Sequence, residues 1–567
     1  VITKPDIHLR GMDRNGVMLD GTKPGAPECS AVDSAQDFGP NDANGKPAGR
    51  DGVIVYRTSG VSVENLSACN FLTGDMGGGD VLWFDGGAST GTQNMNAWRG
   101  AYLTASSTYF KDSSSPFMNY GIYASNVKGP GVYTQVYANN SADAAYYIGA
   151  CPNCNTILDH AHAENSDLGY SGTNSGGNLI IQYSEFDNNQ SGFVTNSQNN
   201  DDAPSPQDGV CPSSTKNPQQ PAGTQRTEAC WVFQNNSVHD NNNPNVPATG
   251  TAAAGPVGSG VVISGGRHDI VTHNSIFNNK AWGVLLVPFP DVGNPPDVAN
   301  CNGGQGGQKF NGMTACYFDD FANEVSGNTF ANNGGYGNTT NGDMAEISNP
   351  NPDGNCWHDN VEAGGGTPTS EPPQIQQTHG SCHQPNSGDP VASPLGTQVS
   401  CDSQLLFSCP ATPAGNYPRA GTNQDIQNGM KLPPAQASMP DPCLDVPQNP
   451  WCPNNPANPA AYPVPGPPYP PPTRAAGSNP CPSRQVVVLR LRHLFRGLRS
   501  AKVTVNGHRV RISRKLVVRI TLTNPGRTQV VRIRGRLRNG GRVRQRRRYS
   551  PCTAATVKKH KRRARKR

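Results

Sequence analysis

Of the 567 residues, 64 are Gly and 51 Pro, while only 34% are hydrophobic and 7% aromatic. A chain this polar cannot fill one compact core of its length, which favours a fold needing only a narrow apolar core per repeated unit. Residues 481–567 carry 29 Lys and Arg and no Asp or Glu, leaving 18 basic against 41 acidic residues before them, so the net +6 conceals an acidic body and a basic end.

Sixteen cysteines without a repeated zinc-type spacing point to an oxidising compartment, hence to an exported protein. No run of about 18 apolar residues is present, so no transmembrane segment is expected. The chain opens on Val1, already inside the strand-like "ITKPDIHLRGMDRNGVMLDG", and a leader and a first coil are expected to precede it.

A repeat follows. In "VSVENLSACNFLTG" (61–74) the pattern is Ala68, Asn70 and Gly74, and a weaker copy stands at Tyr137 and Asn139. "TILDHAHAENSDLG" (156–169) aligns with "LIIQYSEFDNNQSG" (179–192): Leu158 with Ile181, Ala163 with Phe186, Asn165 with Asn188, Gly169 with Gly192. Val238 with Asp240 continues the series, then Phe277, Asn279 and Gly283 of "IVTHNSIFNNKAWG" (270–283), then Phe330 with Asn332. A period in the twenties, with short alternating apolar runs and almost no helical periodicity, signals a solenoid. One Asn or Asp per turn (Asn70, Asn139, Asn165, Asn188, Asp240, Asn279, Asn332) suits a ladder in which each amide satisfies a tight corner and stacks on the next coil.

His160 and His162, with Cys151 and Cys154 upstream, imitate a metal site. In the repeat frame they occupy columns held elsewhere by Tyr183 and Glu185, then by Asn274 and Ile276, so they read as strand positions and no metal is assigned. Cys151 and Cys154 open a coil and not a helix, which suits a structural disulfide or two packed thiols better than a redox motif.

Two long insertions, at about 197–229 and 288–315, leave about five residues after Gly192 and Gly283, with one coil between them. Both are expected to project from one corner, as the two walls of a groove floored by Arg267, His268 and Asp269. A third loop, 243–258, enters from another edge. Arg267 could pair with a uronate carboxylate and His268 could transfer a proton. Asp201 and Asp202, with Asp291 opposite, could act as a carboxylate pair or hold Ca2+ as a cofactor. Tyr170, Asn174, Asn196 and Asp291 are the candidate substrate-binding residues. "GGRHD" reads equally as a polar turn, and the Asp pair as part of an exposed loop.

Residues 1–348 thus form the solenoid. Residues 349–440 keep Cys356, Cys382, Cys401 and Cys409 but lose the period, as a disulfide-tied cap would, and 441–480 form a Pro-rich linker. Residues 481–552 alternate as strands do, turn at "VNGHRV" and are flanked by Cys481 and Cys552, which predicts a small disulfide-closed basic β-sandwich. Residues 553–567 read as a disordered cationic tail.

The repeats, with "GVVISGGRHDIVTHNSIFNNKAWGVLL" as the clearest copy, resemble the right-handed parallel β-helix of the pectin-lyase-like superfamily, over residues 1–348. The basic module resembles immunoglobulin-like domains appended to exported bacterial proteins. The resemblance implies an all-β fold: a right-handed parallel β-helix solenoid, a Pro-rich linker and a small β-sandwich. That superfamily spans polysaccharide lyases, hydrolases, C5-epimerases, copper-system proteins and adhesins. Of the polygalacturonase motifs only the Asp-Asp at Asp201–Asp202 is matched, and in an insertion; the Asp-Pro-His of alginate epimerases is absent.

The functional expectation is therefore a secreted or cell-surface monomer that binds, and could process, acidic polysaccharide. Residues 481–567 would attach to an anionic cell-envelope polymer, with no sequence-specific nucleic acid as partner. The competing readings are a lyase or hydrolase on uronate polymer, a non-catalytic adhesin, and metal handling through Cys151, Cys154, His160 and His162.

Overall fold

The structure, a computed structural model, describes residues 1–88, 92–93, 95–151, 153–198, 231–292, 304–310, 313–386, 394–403 and 417–457, and beyond them 484–491, 498–513, 516–523, 529–537 and 542–549. The chain divides into two compact units, Val1–Tyr469 and Pro470–Arg567.

The first unit is a parallel β-solenoid. Along one flank Val61–Cys69, Trp98–Ser106, Gly131–Asn139 and Thr156–Glu164 pair in succession, always parallel. From Leu179 each strand splits into two short arms, such as Leu179–Gln182 and Glu185–Asp187. The other flank is a ten-stranded parallel sheet from Val53–Tyr56 to Ser370–Glu371. Between the flanks lies a continuous apolar filling that includes Leu103, Leu158, Phe186, Phe193, Phe233, Ile276 and Phe330. The stack goes further than the repeat shows, because Cys356–His358 and Val361–Glu362 form one more coil beyond residue 348.

The long strands bend where one residue per coil takes the left-handed conformation: Asn65, Tyr102, Gln135, His160, Tyr183, Asn235, His273, Gly327 and Asp359. A second left-handed column marks the next corner, at Asn70, Asn140, Asn165, Asn188, Asp240, Asn278 and Asn332. Asn and Asp dominate there because a short polar side chain lowers the cost of positive φ.

The corner register corrects two alignments. Phe186 stands over Val238, and Val238 over Ile276, so Phe277 and Asn279 lie one place past the columns assigned to them. Asn139 likewise precedes its corner residue, Asn140. A slip of one residue exchanges inside for outside, which is why it matters.

The stacking amides, all buried except half-buried Asn333, start one residue after a left-handed column. Asn189, Asn241, Asn279 and Asn333 form one stack, each Nδ2 donating to the Oδ1 of the next coil. A second stack runs Asn236, Asn274, Asn328, Asn360. Its amides also donate to the carbonyls of Ile181, Phe233, Val271 and Val325. Of the sequence-assigned ladder, Asn279 stands in a stack. Asn70, Asn165, Asn188, Asp240 and Asn332 hold the left-handed corner itself.

Disulfides join Cys29–Cys69, Cys151–Cys154, Cys356–Cys382 and Cys443–Cys452. The Cys151–Cys154 bond is buried and structural, which removes both sulfurs from any metal set with His160 and His162. Cys401 is also disulfide-bonded, whereas Cys409 lies outside the described residues. Residues 441–457, expected in the linker, belong to the folded first unit.

From Gly421 to Leu444 the chain returns along the solenoid as a strap. Gly421 N donates to Asn245, and Gln427 bonds the backbone of Phe110 and Thr108. The Lys431 carbonyl accepts from Asn139 and Asn140, and Met439 N donates to Asn65. Arg10 reaches the carbonyls of Pro442 and Leu444. Beneath the strap Arg14 is buried, its guanidinium bonded to Thr104 and to the carbonyls of Leu103, Gln135 and Ala437.

The second unit contains a two-stranded antiparallel sheet, Arg484–Arg490 with Val517–Thr523. It also contains a four-stranded one built from Leu498–Val505, His508–Arg509, Gln529–Leu537 and Arg542–Tyr549. Asn506 and Gly507, both at positive φ, make the hairpin turn of "VNGHRV". Val531 and Ile533 point into a small core while Arg532, Arg534 and Arg536 face solvent. Cys481, Cys552 and the tail 553–567 lie outside the described residues.

Candidate functional site

On the solenoid flank, strict alternation sends one residue in and the next out. In Thr156–Glu164, Leu158, Ala161 and Ala163 are core, which leaves Asp159, His162 and Glu164 outside the bend and its second arm. In the next coils Phe186, Val238 and Ile276 are core, turning Glu185 and Asp187, Ser237 and His239, Ser275 and Phe277 outward. Parallel register stacks these into two columns. One runs His162, Glu185, Ser237, Ser275; the other runs Glu164, Asp187, His239, Phe277.

The two columns pair diagonally. His162 Nε2 lies 2.7 Å from Asp187 Oδ1 and 4.0 Å from Glu164 Oε2. The Tyr137 hydroxyl donates to the other oxygen of Glu164. His239 Nε2 lies 3.0 Å from Glu185 and its Nδ1 3.1 Å from Asp240. The His239 ring stacks on Phe277 at 4.5 Å. Across the bend, His160 Nδ1 is 2.6 Å from Asp159. The strap passes beside this array, its Gly429 and Lys431 carbonyls accepting from Asn165 and Asn140, while His162, Glu164 and Asp187 stay half-exposed.

The pairing sets the charge. Burial works against a charged His239, but its bonds to Asp240 and Glu185 prevail and bring its pKa up to about 9. Burial likewise opposes a charged His162, yet Asp187 draws its pKa above the ordinary imidazole value. The hydrogen bond that Asp159 accepts from His160 raises the imidazole's pKa. Glu185, despite burial, is held below the usual carboxylate range by His239, and Asp240 is lowered by the same imidazole. The strip therefore sets the imidazoles of His160, His162 and His239 among five acidic side chains, Asp159, Glu164, Glu185, Asp187 and Asp240. It can both donate to and accept from a hydroxyl-rich ligand.

The groove residues are arranged otherwise. Arg267 is buried with its guanidinium 4.8 Å over the Phe321 ring. His268 holds a left-handed turn with its ring 6.2 Å from Phe321. Asp269 is fully buried, accepting from Trp231 N while its own N–H donates to Asn323. Arg267 and Asp269 are thus packed into a corner, beside Phe321 and Asn323. Tyr170 is in the core, stacked on Phe193, with its hydroxyl donating to the Ile148 carbonyl. Asn174 and Asn196 share the corner with the 265–269 turn but bond locally, to Gln198 and to Thr173. Asp291 is buried in Phe289–Asp291, antiparallel to Met313–Phe318. Asp201, Asp202 and most of the first wall lie outside the described residues.

No single segment of the sequence displays the array. Its signal is the outward triad of "HAHAE" set against "EFD" and "VHD" one coil apart, visible only once register is known. No protein-family model matches the chain, and no curated protein matches it either.

Proposed function

We propose that this chain is an exported β-helix protein of the pectin-lyase-like kind that binds polysaccharide along the open face from Asp159 to Phe277. The observation that carries the reading is the double column of paired imidazoles and carboxylates beside exposed Tyr183 and the ring of Phe277. Strand spacing of about 4.8 Å repeats the polar groups along the solenoid axis, as a linear polymer requires. Rings offer flat apolar contact beside the donors and acceptors. With carboxylates in excess, the strip suits neutral or amino sugars better than uronates, a change from the acidic substrate that Arg267 suggested. The disulfides fit an oxidising compartment, and among the described residues no helix is long and apolar enough to cross a membrane.

A hydrolytic reading is favoured by one observation: His162, Glu164 and Asp187 offer donor atoms all within 4.8 Å of one another. The basic unit, with Arg532, Arg534 and Arg536 on one side of a strand, is proposed to hold the protein on an anionic envelope polymer.

The test is retention of the full chain on a panel of neutral, amino and uronate polysaccharides, following reducing ends and 235-nm absorbance. Binding that weakens about tenfold in Asp187→Asn and His239→Gln, with neither product signal, supports a binder. New reducing ends alone indicate a hydrolase, and absorbance a lyase. Retention that is equal in both variants and wild type removes this face from the account.

A further inference from the structure

We propose that His162, Glu164 and Asp187 form a divalent-metal site on the open face of the solenoid. Three side chains from two adjacent coils place one imidazole nitrogen and two carboxylate oxygens within 4.8 Å of one another. Strand register sets that proximity, because His162 stands over Glu185 and Glu164 over Asp187 on neighbouring strands of one parallel sheet. Each of the three is half-buried, so the backbone side is packed while the other side meets solvent. Three protein ligands with the remaining positions open are the arrangement of a reactive or ligand-exchanging metal and not of a closed structural one.

The surroundings supply what such a site needs. Tyr137, itself buried, donates to the Glu164 oxygen that His162 does not face, orienting the carboxylate as outer partners of metal ligands do. The Tyr137 ring stands perpendicular to the His162 ring at 5.1 Å and limits its rotation. Glu185 adds a further negative charge near His162. Two other clusters of metal-ligating residue types, Cys356 with His358 and Cys382, and Asp20 with Cys29 and Cys69, have their sulfurs committed to disulfides. One nitrogen and two oxygens suit Zn2+ or Mn2+ better than Ca2+, which takes oxygen alone. His162 Nε2 and Asp187 Oδ1 already lie 2.7 Å apart, so a metal bound here would replace that contact with two ligand bonds.

The experiment uses the full chain stripped with chelator, with Zn2+ and Mn2+ titrated calorimetrically in the absence of any sugar, so its result is separate from that of the polysaccharide panel. One equivalent of metal is expected, and the metal should raise the thermal midpoint. Glu164→Gln and Asp187→Asn should each weaken that equivalent at least tenfold, and Tyr137→Phe about tenfold. His383→Gln, an exposed histidine outside this face, should bind as wild type does. Equal binding by wild type and both carboxylate variants, or no saturable binding of either ion, overturns the site. If a carboxylate variant fails to fold, Mn2+ electron paramagnetic resonance on Tyr137→Phe and His162→Gln decides. Imidazole nitrogen coupling present in the first and absent in the second supports the site, and the same spectrum in both overturns it.

Discussion

His239 shows how one outward position acquires chemistry from its neighbours. Its two nitrogens reach Glu185 on the neighbouring strand and Asp240 at the corner after its own, and its face rests on Phe277. The folded-state pKa of about 9 lies above the unfolded value, so folding binds the proton more tightly. That contribution is complete below about pH 6.5 and disappears as the pH rises through 9. It should be on the order of 2 kcal/mol after allowance for solvent screening. Urea unfolding at pH 6 and pH 9.5 measures it: wild type should lose stability across that window, and His239→Gln should lose less by this amount. An equal loss in both would show that the imidazole pairs are not what titrates.

At the scale of the coil, two kinds of Asn do different work. Asn328 is fully buried and its amide donates to the Val271 carbonyl and to Asn360, while its Oδ1 accepts from Asn274. Asn328→Ala leaves those partners unpaired inside the solenoid and should cost about 3 kcal/mol. Asn332, exposed at the corner, contributes mainly by tolerating positive φ. Asn332→Ala should cost only about 1 kcal/mol, and Asn332→Gly close to nothing. Denaturant midpoints at constant slope would test the contrast, which fails if the two alanine variants are equally destabilised. The amide-rich repeat was legible from the sequence, but not which Asn of each pair turns inward. Asn278–Asn279 and Asn332–Asn333 are alike as text, and only register across coils tells corner from stack.

Over the first unit as a whole, the strap fastens the late chain to the first coils. Arg14 is its central fastening, since its guanidinium joins Gln135 of the solenoid to Ala437 of the strap, and burial lowers its pKa to about 10. Arg14→Ala should free that segment, so limited proteolysis should cut within 431–444 at least tenfold faster while the solenoid stays intact. An unchanged cleavage rate would mean the remaining bonds suffice without Arg14. The basic unit acts through many weak charges, and retention on an anionic polymer should collapse between about 0.1 and 0.5 M salt as the Debye length shrinks. Retention that ignores salt would instead point to a specific contact.

Alternation, the recurrent Asn and the split of charge along the chain were enough, read from the sequence, to show an all-β solenoid followed by a basic module, because each is a local consequence of side-chain period and composition. The site was a different matter. Its groups, His162 with Asp187 and Glu185 with His239, are 25 and 54 residues apart. They meet only through the parallel register of successive coils, which a string of residues does not display. The same geometry places Arg267 and Asp269 in a buried corner and Tyr170 in the core. Whether a polar side chain faces a ligand or completes a buried hydrogen-bond stack depends on one residue of register, and packing of the whole solenoid sets that register.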